Sequence, residues 1–152
     1  MLPVYGYALD VGDAAPDFEG VSLDNKQISL YSSFVGKKPV YLIFWATWWP
    51  ICKEDLPRVE RLYKRLGGKI EFIGINVGIN EREKRVREYV KEKSLTFTII
   101  YDESQKVTKT FGVMGTPTHI ITDRKGFVRY RDAKFPHDLE DHMKELLNWY
   151  KG

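Results

Sequence analysis

Three apolar runs divide the chain, and the stretches between them repeat with a different period. Residues 39–46, PVYLIFWA, are continuously apolar and rich in β-branched and aromatic side chains, as in a strand covered on both faces. IEFIGINV at 70–77 repeats the pattern, and FTII at 97–100 is a shorter version. Between the first two runs Leu56, Val59, Leu62, Tyr63 and Leu66 recur at helical spacing. They predict a helix that begins near Pro50 and stops at Gly67 and Gly68, with Pro57 kinking it. Residues 81–93 place Val86, Tyr89 and Val90 on one face and charges elsewhere, a solvated helix. A short helix is predicted over 103–112, and THIITD and FVRYRD flank the turn DRKG as a hairpin. A last helix over about 136–150 turns Leu139, Met143, Leu146, Leu147 and Tyr150 inward. Upstream, residues 1–20 are irregular, and strand-like pieces at Val21–Leu23 and Gln27–Leu30 are joined by LDNKQ. The order of elements predicts an α/β fold with a central mixed β-sheet flanked by helices.

Composition narrows this picture rather than changing it. A chain of 152 residues with a hydrophobic fraction of 43% suits a single globular domain, residues 1–11 being an irregular lead. The net charge of +3 is too small to argue for nucleic acid or membrane partners. Apolar runs fall short of the roughly 18 residues of a membrane span. MLPVYGYALD lacks the basic and apolar regions of an intact signal peptide. Gly-rich phosphate loops and basic–aromatic arrays are missing, and His119, His137 and His142 show no metal-ligand spacing with Cys52. These histidines read as solvated or internally satisfied, and no metal or cofactor is expected.

The chemistry concentrates where the first strand meets the first long helix, at FWATWWPICKEDLP (44–57). Active sites of α/β sheets favour this place, beyond the carboxyl end of a strand and at a helix start. The helix dipole there lowers a thiol's pKa, while burial raises it. Cys52, the chain's one cysteine, excludes an intramolecular disulfide.

The segment resembles the active-site signature F-W-A-x-W-C-x-x-C-K of thioredoxin-like proteins, above all the TlpA/ResA group of extracytoplasmic thiol–disulfide oxidoreductases. GDAAPDF, SLYSSFVGKKPVYLIFWATW and FGVMGTPTHIITDRKGFV agree with that group in order, and Pro57 falls five residues after Cys52. The helix and strand over 81–101 match the group's insertion, and the resemblance covers residues 12 to about 148. It implies a thioredoxin-like fold with an N-terminal extension. The resemblance departs at position 49, where the pattern has its nucleophilic cysteine and this chain has Trp49. Cys52 then occupies the resolving position, and the two-cysteine cycle of attack and resolution cannot run.

The resemblance further implies that Trp48, Pro50, Ile51, Thr116 and Pro117 face the substrate, with Thr116–Pro117 a cis peptide offering backbone groups to an extended chain. Asp55 matches an acidic position used near the active site, so two readings stand: a proton-handling group, or a carboxylate that complements the helix start, as Glu54 does. The buried aspartate of cytoplasmic thioredoxins would fall at Ile43 and is missing. Trp45 and Trp48 read as packing, whereas Trp49 is expected to be partly exposed, plugging the site or extending an apolar docking surface.

Three functions follow. The first is a thiol–disulfide oxidoreductase family protein without its nucleophile. The second is a redox-inactive module that binds a peptide or protein through Trp49 and Pro117. The third is a monothiol, peroxidase-like enzyme using Cys52, disfavoured because peroxidatic arginine or threonine spacing is lacking. The implied partners are protein thiols or disulfides, with apocytochrome c or another redox protein as candidates, for a monomer that the resemblance puts outside the cytoplasm while the residues leave a cytoplasmic home open.

Overall fold

A computed structural model describes residues 9–148. Its centre is strand β3 (Val40–Trp45), in which every residue is buried. Alternation sends Tyr41, Ile43 and Trp45 into one core and Leu42 and Phe44 into the other, as the period of two of a strand requires. β4 (Glu71–Asn76) and β5 (Thr98–Tyr101) extend the sheet in parallel on one side. On the other side β6 (Thr118–Thr122) and β7 (Val128–Asp132) run antiparallel. The order β5-β4-β3-β6-β7 gives the expected mixed sheet.

Helix α2 (Pro50–Leu66) and helix α3 (Glu83–Glu92) contribute Leu56, Val59, Leu62, Val86 and Tyr89 to the first core. Burying a side chain of this size is worth about 1.5–3 kcal/mol. Pro57 lies inside α2 without ending it, and Gly67 caps it through a 2.7 Å bond from its N–H to Tyr63 O. The second core is closed by residues 9–30, by helix α1 (Leu30–Ser33) and by helix α4 (Lys106–Thr110).

Three expected boundaries move. The N-terminal pieces pair as a separate two-stranded sheet, β1 (Glu19–Val21) with β2 (Gln27–Ser29). Leu30 leaves this sheet because the Ser29 hydroxyl caps α1 by accepting Ser32 N–H, and Asp17 accepts Tyr31 N–H at 3.0 Å. α4 is shorter than predicted, since the Asp102 carboxylate accepts the Val107 and Thr108 amides at its start. The last helix divides into a 3-10 turn (Leu139–His142) and α5 (Met143–Asn148). Leu139, Met143 and Leu146 are buried as expected, and Tyr150 lies outside the described residues.

The loop after β4 depends on Gly78, whose φ is +70° and whose Cβ, if present, would sit 2.3 Å from the Asp102 carbonyl. Gly78→Ala is expected to cost about 2–4 kcal/mol through combined backbone strain and collision. Equilibrium denaturation checks this, and an unchanged midpoint would contradict it.

Candidate active site

β3 ends at Trp45, and α2 starts five residues later with Pro50 in its first turn, where a missing N–H costs nothing. Trp49 is the N-cap residue, with extended backbone and no side-chain capping bond. The cap therefore carries an indole 39% exposed beside Trp48, 44% exposed, the rings meeting edge to face at 5.3 Å. Trp48 is not the core residue expected. Its indole N–H donates to Ile79 O at 2.9 Å, tying it to the loop after β4, while Trp45 is fully buried as expected.

That loop is held a second time. Both Glu81 carboxylate oxygens are acceptors, one for the Thr47 amide at 2.6 Å and the Thr47 hydroxyl, the other for the Asn76 side-chain amide. Glu81 thereby joins the segment before α2 to the end of β4. Neither Glu81 nor Thr47 was singled out by the sequence reading, because a glutamate within a charged run carries no local mark.

Trp48, Trp49 and Thr116 line a groove of about 170 Å³ with Val77, Ile79, Val113 and Met114, the last 96% exposed. The Thr116–Pro117 peptide is cis and Pro117 is buried. Pro50 and Ile51 stand on the exposed start of α2, outside the lining of this groove.

Cys52 belongs to the first core and is wholly buried. Burial pushes its thiol from an ordinary 9.0 up to about 11, with the Asp55 and Glu81 charges adding to the rise. The Ala46 amide and the Thr116 hydroxyl bond the sulfur and oppose the shift without cancelling it. Desolvation thus outweighs the helix start. At pH 7 such a group is thiolate in about one molecule in ten thousand.

Asp55, one turn after Cys52, is also buried, and its carboxylate lies 2.9 Å from His119 Nε2. It does not complement the helix start; Glu54, its neighbour, is exposed. His119 is internally satisfied, its Nδ1 lying 2.7 Å from Tyr41 OH. His137 rests against the Phe135 ring at 5.1 Å, and His142 pairs with Asp138 at 3.1 Å. Among the described residues no group of three His, Cys, Asp or Glu side chains is arranged to hold a metal.

Residues 11–131 match the AhpC/TSA family. Over 91% of its length the chain is 30% identical to the thiol-disulfide oxidoreductase ResA of Bacillus thuringiensis subsp. konkukian, covering 79% of that protein. The chain belongs to the AhpC/TSA family and, within it, to the ResA-like thiol–disulfide oxidoreductases. It is also 36% identical to the thioredoxin-like protein YneN of Bacillus subtilis, over 78% of this chain and 68% of that one. The thioredoxin domain of a thiol-disulfide oxidoreductase from Bacteroides vulgatus superposes with a TM-score of 0.77 at 22% identity, covering 92% of this chain and 99% of that one. This last likeness establishes the thioredoxin-like fold.

With one cysteine, a chain labelled with [3-13C]cysteine gives a single resonance whose titration reads Cys52 directly. The resonance is expected to hold its thiol position through pH 9 and to move with a midpoint near 11. A midpoint at or below 9.0 would contradict the burial argument. The sign for stability follows. A raised acid pKa leaves this contribution intact below about 9 and removes it as pH rises through about 11.

Proposed function

We propose that this chain is a ResA-like thiol–disulfide oxidoreductase scaffold, acting on protein thiols or disulfides outside the cytoplasm, whose dithiol cycle is silent in this sequence. The observation that carries the reading is the pairing of an indole at the helix cap with a buried, proton-bound Cys52. An indole neither attacks sulfur nor forms a disulfide, and Cys52 lacks both the exposure and the thiolate to replace it. The same burial argues against the monothiol reading. In this reading Asp55, whose charge acts on the Cys52 thiol, exchanges a proton with it, and Trp48, Thr116 and Pro117 serve as the docking side. Apocytochrome c is one substrate consistent with the relatives' thiol chemistry. Among the described residues no helix is long and apolar enough to cross a membrane.

Reduction of insulin disulfides tests this. The native chain is expected to show no turnover above background, and Trp49→Cys is expected to acquire it. Comparable turnover by the native chain would sink the reading, as would an inactive Trp49→Cys chain that is folded.

A second reading, a redox-silent module for extended peptides, draws on the groove between Trp49 and the exposed Met114. Apolar rings and a flexible thioether suit varied apolar side chains. If it holds, a cysteine-free apolar peptide quenches or shifts tryptophan fluorescence in the native chain, and Met114→Glu weakens binding at least about tenfold. Equal affinity of the two chains would count against it.

A further inference from the structure

One turn beyond Cys52, three buried polar side chains from three elements are joined end to end. The Asp55 carboxylate on α2 lies 2.9 Å from His119 Nε2 on β6, and His119 Nδ1 lies 2.7 Å from the hydroxyl of Tyr41 on β3. Asp55 is 4% exposed, and His119 and Tyr41 are fully buried. The sheet produces this meeting. In the β3–β6 register His119 faces Ile43, which makes Tyr41 its diagonal neighbour on the side covered by α2, within reach of an aromatic side chain. The Phe135 ring closes against His119 edge to face at 5.9 Å.

The direction of the hydrogen bonds turns on the phenol and the ring together. Burial pushes Tyr41 well above its ordinary pKa, and the Asp55 charge adds to this. A phenol that keeps its proton can donate to Nδ1, and it does so when the ring carries its own proton on Nε2, toward Asp55. A neutral imidazole that accepts at Nδ1 carries its proton on Nε2, where it donates to Asp55. Asp55 is faced as well by Arg58 of its own helix, with Nη1 at 3.7 Å, and by Tyr130 on β7. Cys52 is faced by Glu81 and by Tyr89 of α3. Stability alone is a poor reason for such a chain, because apolar replacement of a buried ionic pair is often neutral or better.

We propose that His119 is a positioning residue of the thiol site: locked by Tyr41 with its proton on Nε2, it holds the Asp55 carboxylate oriented as acceptor of the Cys52 proton. This rests on the thiol–disulfide reading. In the Trp49→Cys chain, whose mixed disulfide is carried by the sulfur introduced at position 49, the resolving step breaks the Cys52 S–H bond and its proton passes to Asp55. The Cys52 sulfur bonds to the protein sulfur of the mixed disulfide, the protein–substrate S–S bond breaks, and the substrate leaves as thiolate. Two protein thiols are oxidised and the substrate disulfide is reduced.

The test uses the Trp49→Cys chain as parent, a small-molecule disulfide as substrate, and three further changes. His119→Leu is expected to slow resolution at least about tenfold, with KM unchanged, mixed disulfide accumulating and the rate rising only at higher pH. His119→Gln keeps an N–H toward Asp55 and should stay within about threefold of the parent. Tyr41→Phe preserves core volume and keeps the assay open if His119→Leu does not fold; it should slow resolution by a smaller factor. A His119→Leu chain with the parent's rate and pH profile overturns the proposal, as does His119→Gln failing as badly as His119→Leu.

A second measurement needs no activity and uses the native chain. Its histidine ring 15N spectrum should show the His119 tautomer that carries its proton on Nε2, and Tyr41→Phe should mix the tautomers. A ring protonated on Nδ1, or a spectrum unmoved by Tyr41→Phe, overturns the proposal whatever the assay gives. If Trp49→Cys itself is inactive, the functional reading falls, and the ring spectrum still decides the placement of His119.

Discussion

The structure depends on one constraint: β3 is buried on both faces and along its whole length. A strand so placed delivers the chain to the carboxyl edge of the sheet at a fixed height and in a fixed rotation. α2 must then start immediately and lay its apolar side against Tyr41, Ile43 and Trp45. This places Cys52 inward and leaves Trp48 and Trp49 at the rim. Slippage of the register by one residue would exchange the two cores and move the sulfur's neighbours on β3 to the opposite face of the sheet. Packing therefore decides the chemistry of position 52 before any charge is considered.

Two effects compete at that sulfur. A helix start favours the thiolate, and so do the Ala46 amide and the Thr116 hydroxyl. Burial opposes them, joined by the carboxylates of Asp55 and Glu81, and the balance falls on the side of the protonated thiol. Such a group suits a second, late step of sulfur exchange, where a neighbouring base removes the proton. It is poorly suited to a first attack on a disulfide in solution. Trp49 stands at the cap, and Cys52 and Asp55 lie buried behind it, one turn of α2 apart.

Much of this was legible in the sequence. The continuous apolar runs give strands buried on both faces, and the spacing of Leu56, Val59 and Leu62 gives α2, because period and burial are the same physical fact. The resemblance around Cys52 pointed to this junction of strand and helix, and to Trp49 where the family pattern has its first cysteine. The Asp55–His119–Tyr41 chain was not legible: its members lie 64 and 78 residues apart and meet through a strand register that no local pattern encodes. His119 showed itself as a satisfied histidine, without its partners. Glu81 was hidden for the opposite reason, since a charged run looks alike whether a carboxylate points to water or accepts from Thr47 and Asn76. Trp48 read as packing because its exposure depends on the loop after β4, which bends around Gly78.

The central claim is that Cys52 is a resolving thiol without a partner and is no nucleophile on its own. The most direct measurement is the intact mass of the folded native chain after incubation at pH 7 with oxidised glutathione. An unmodified mass under conditions where the unfolded chain takes up one glutathione is the result predicted. A glutathione adduct on Cys52 of the folded chain, formed as fast as on the unfolded one, would contradict the account.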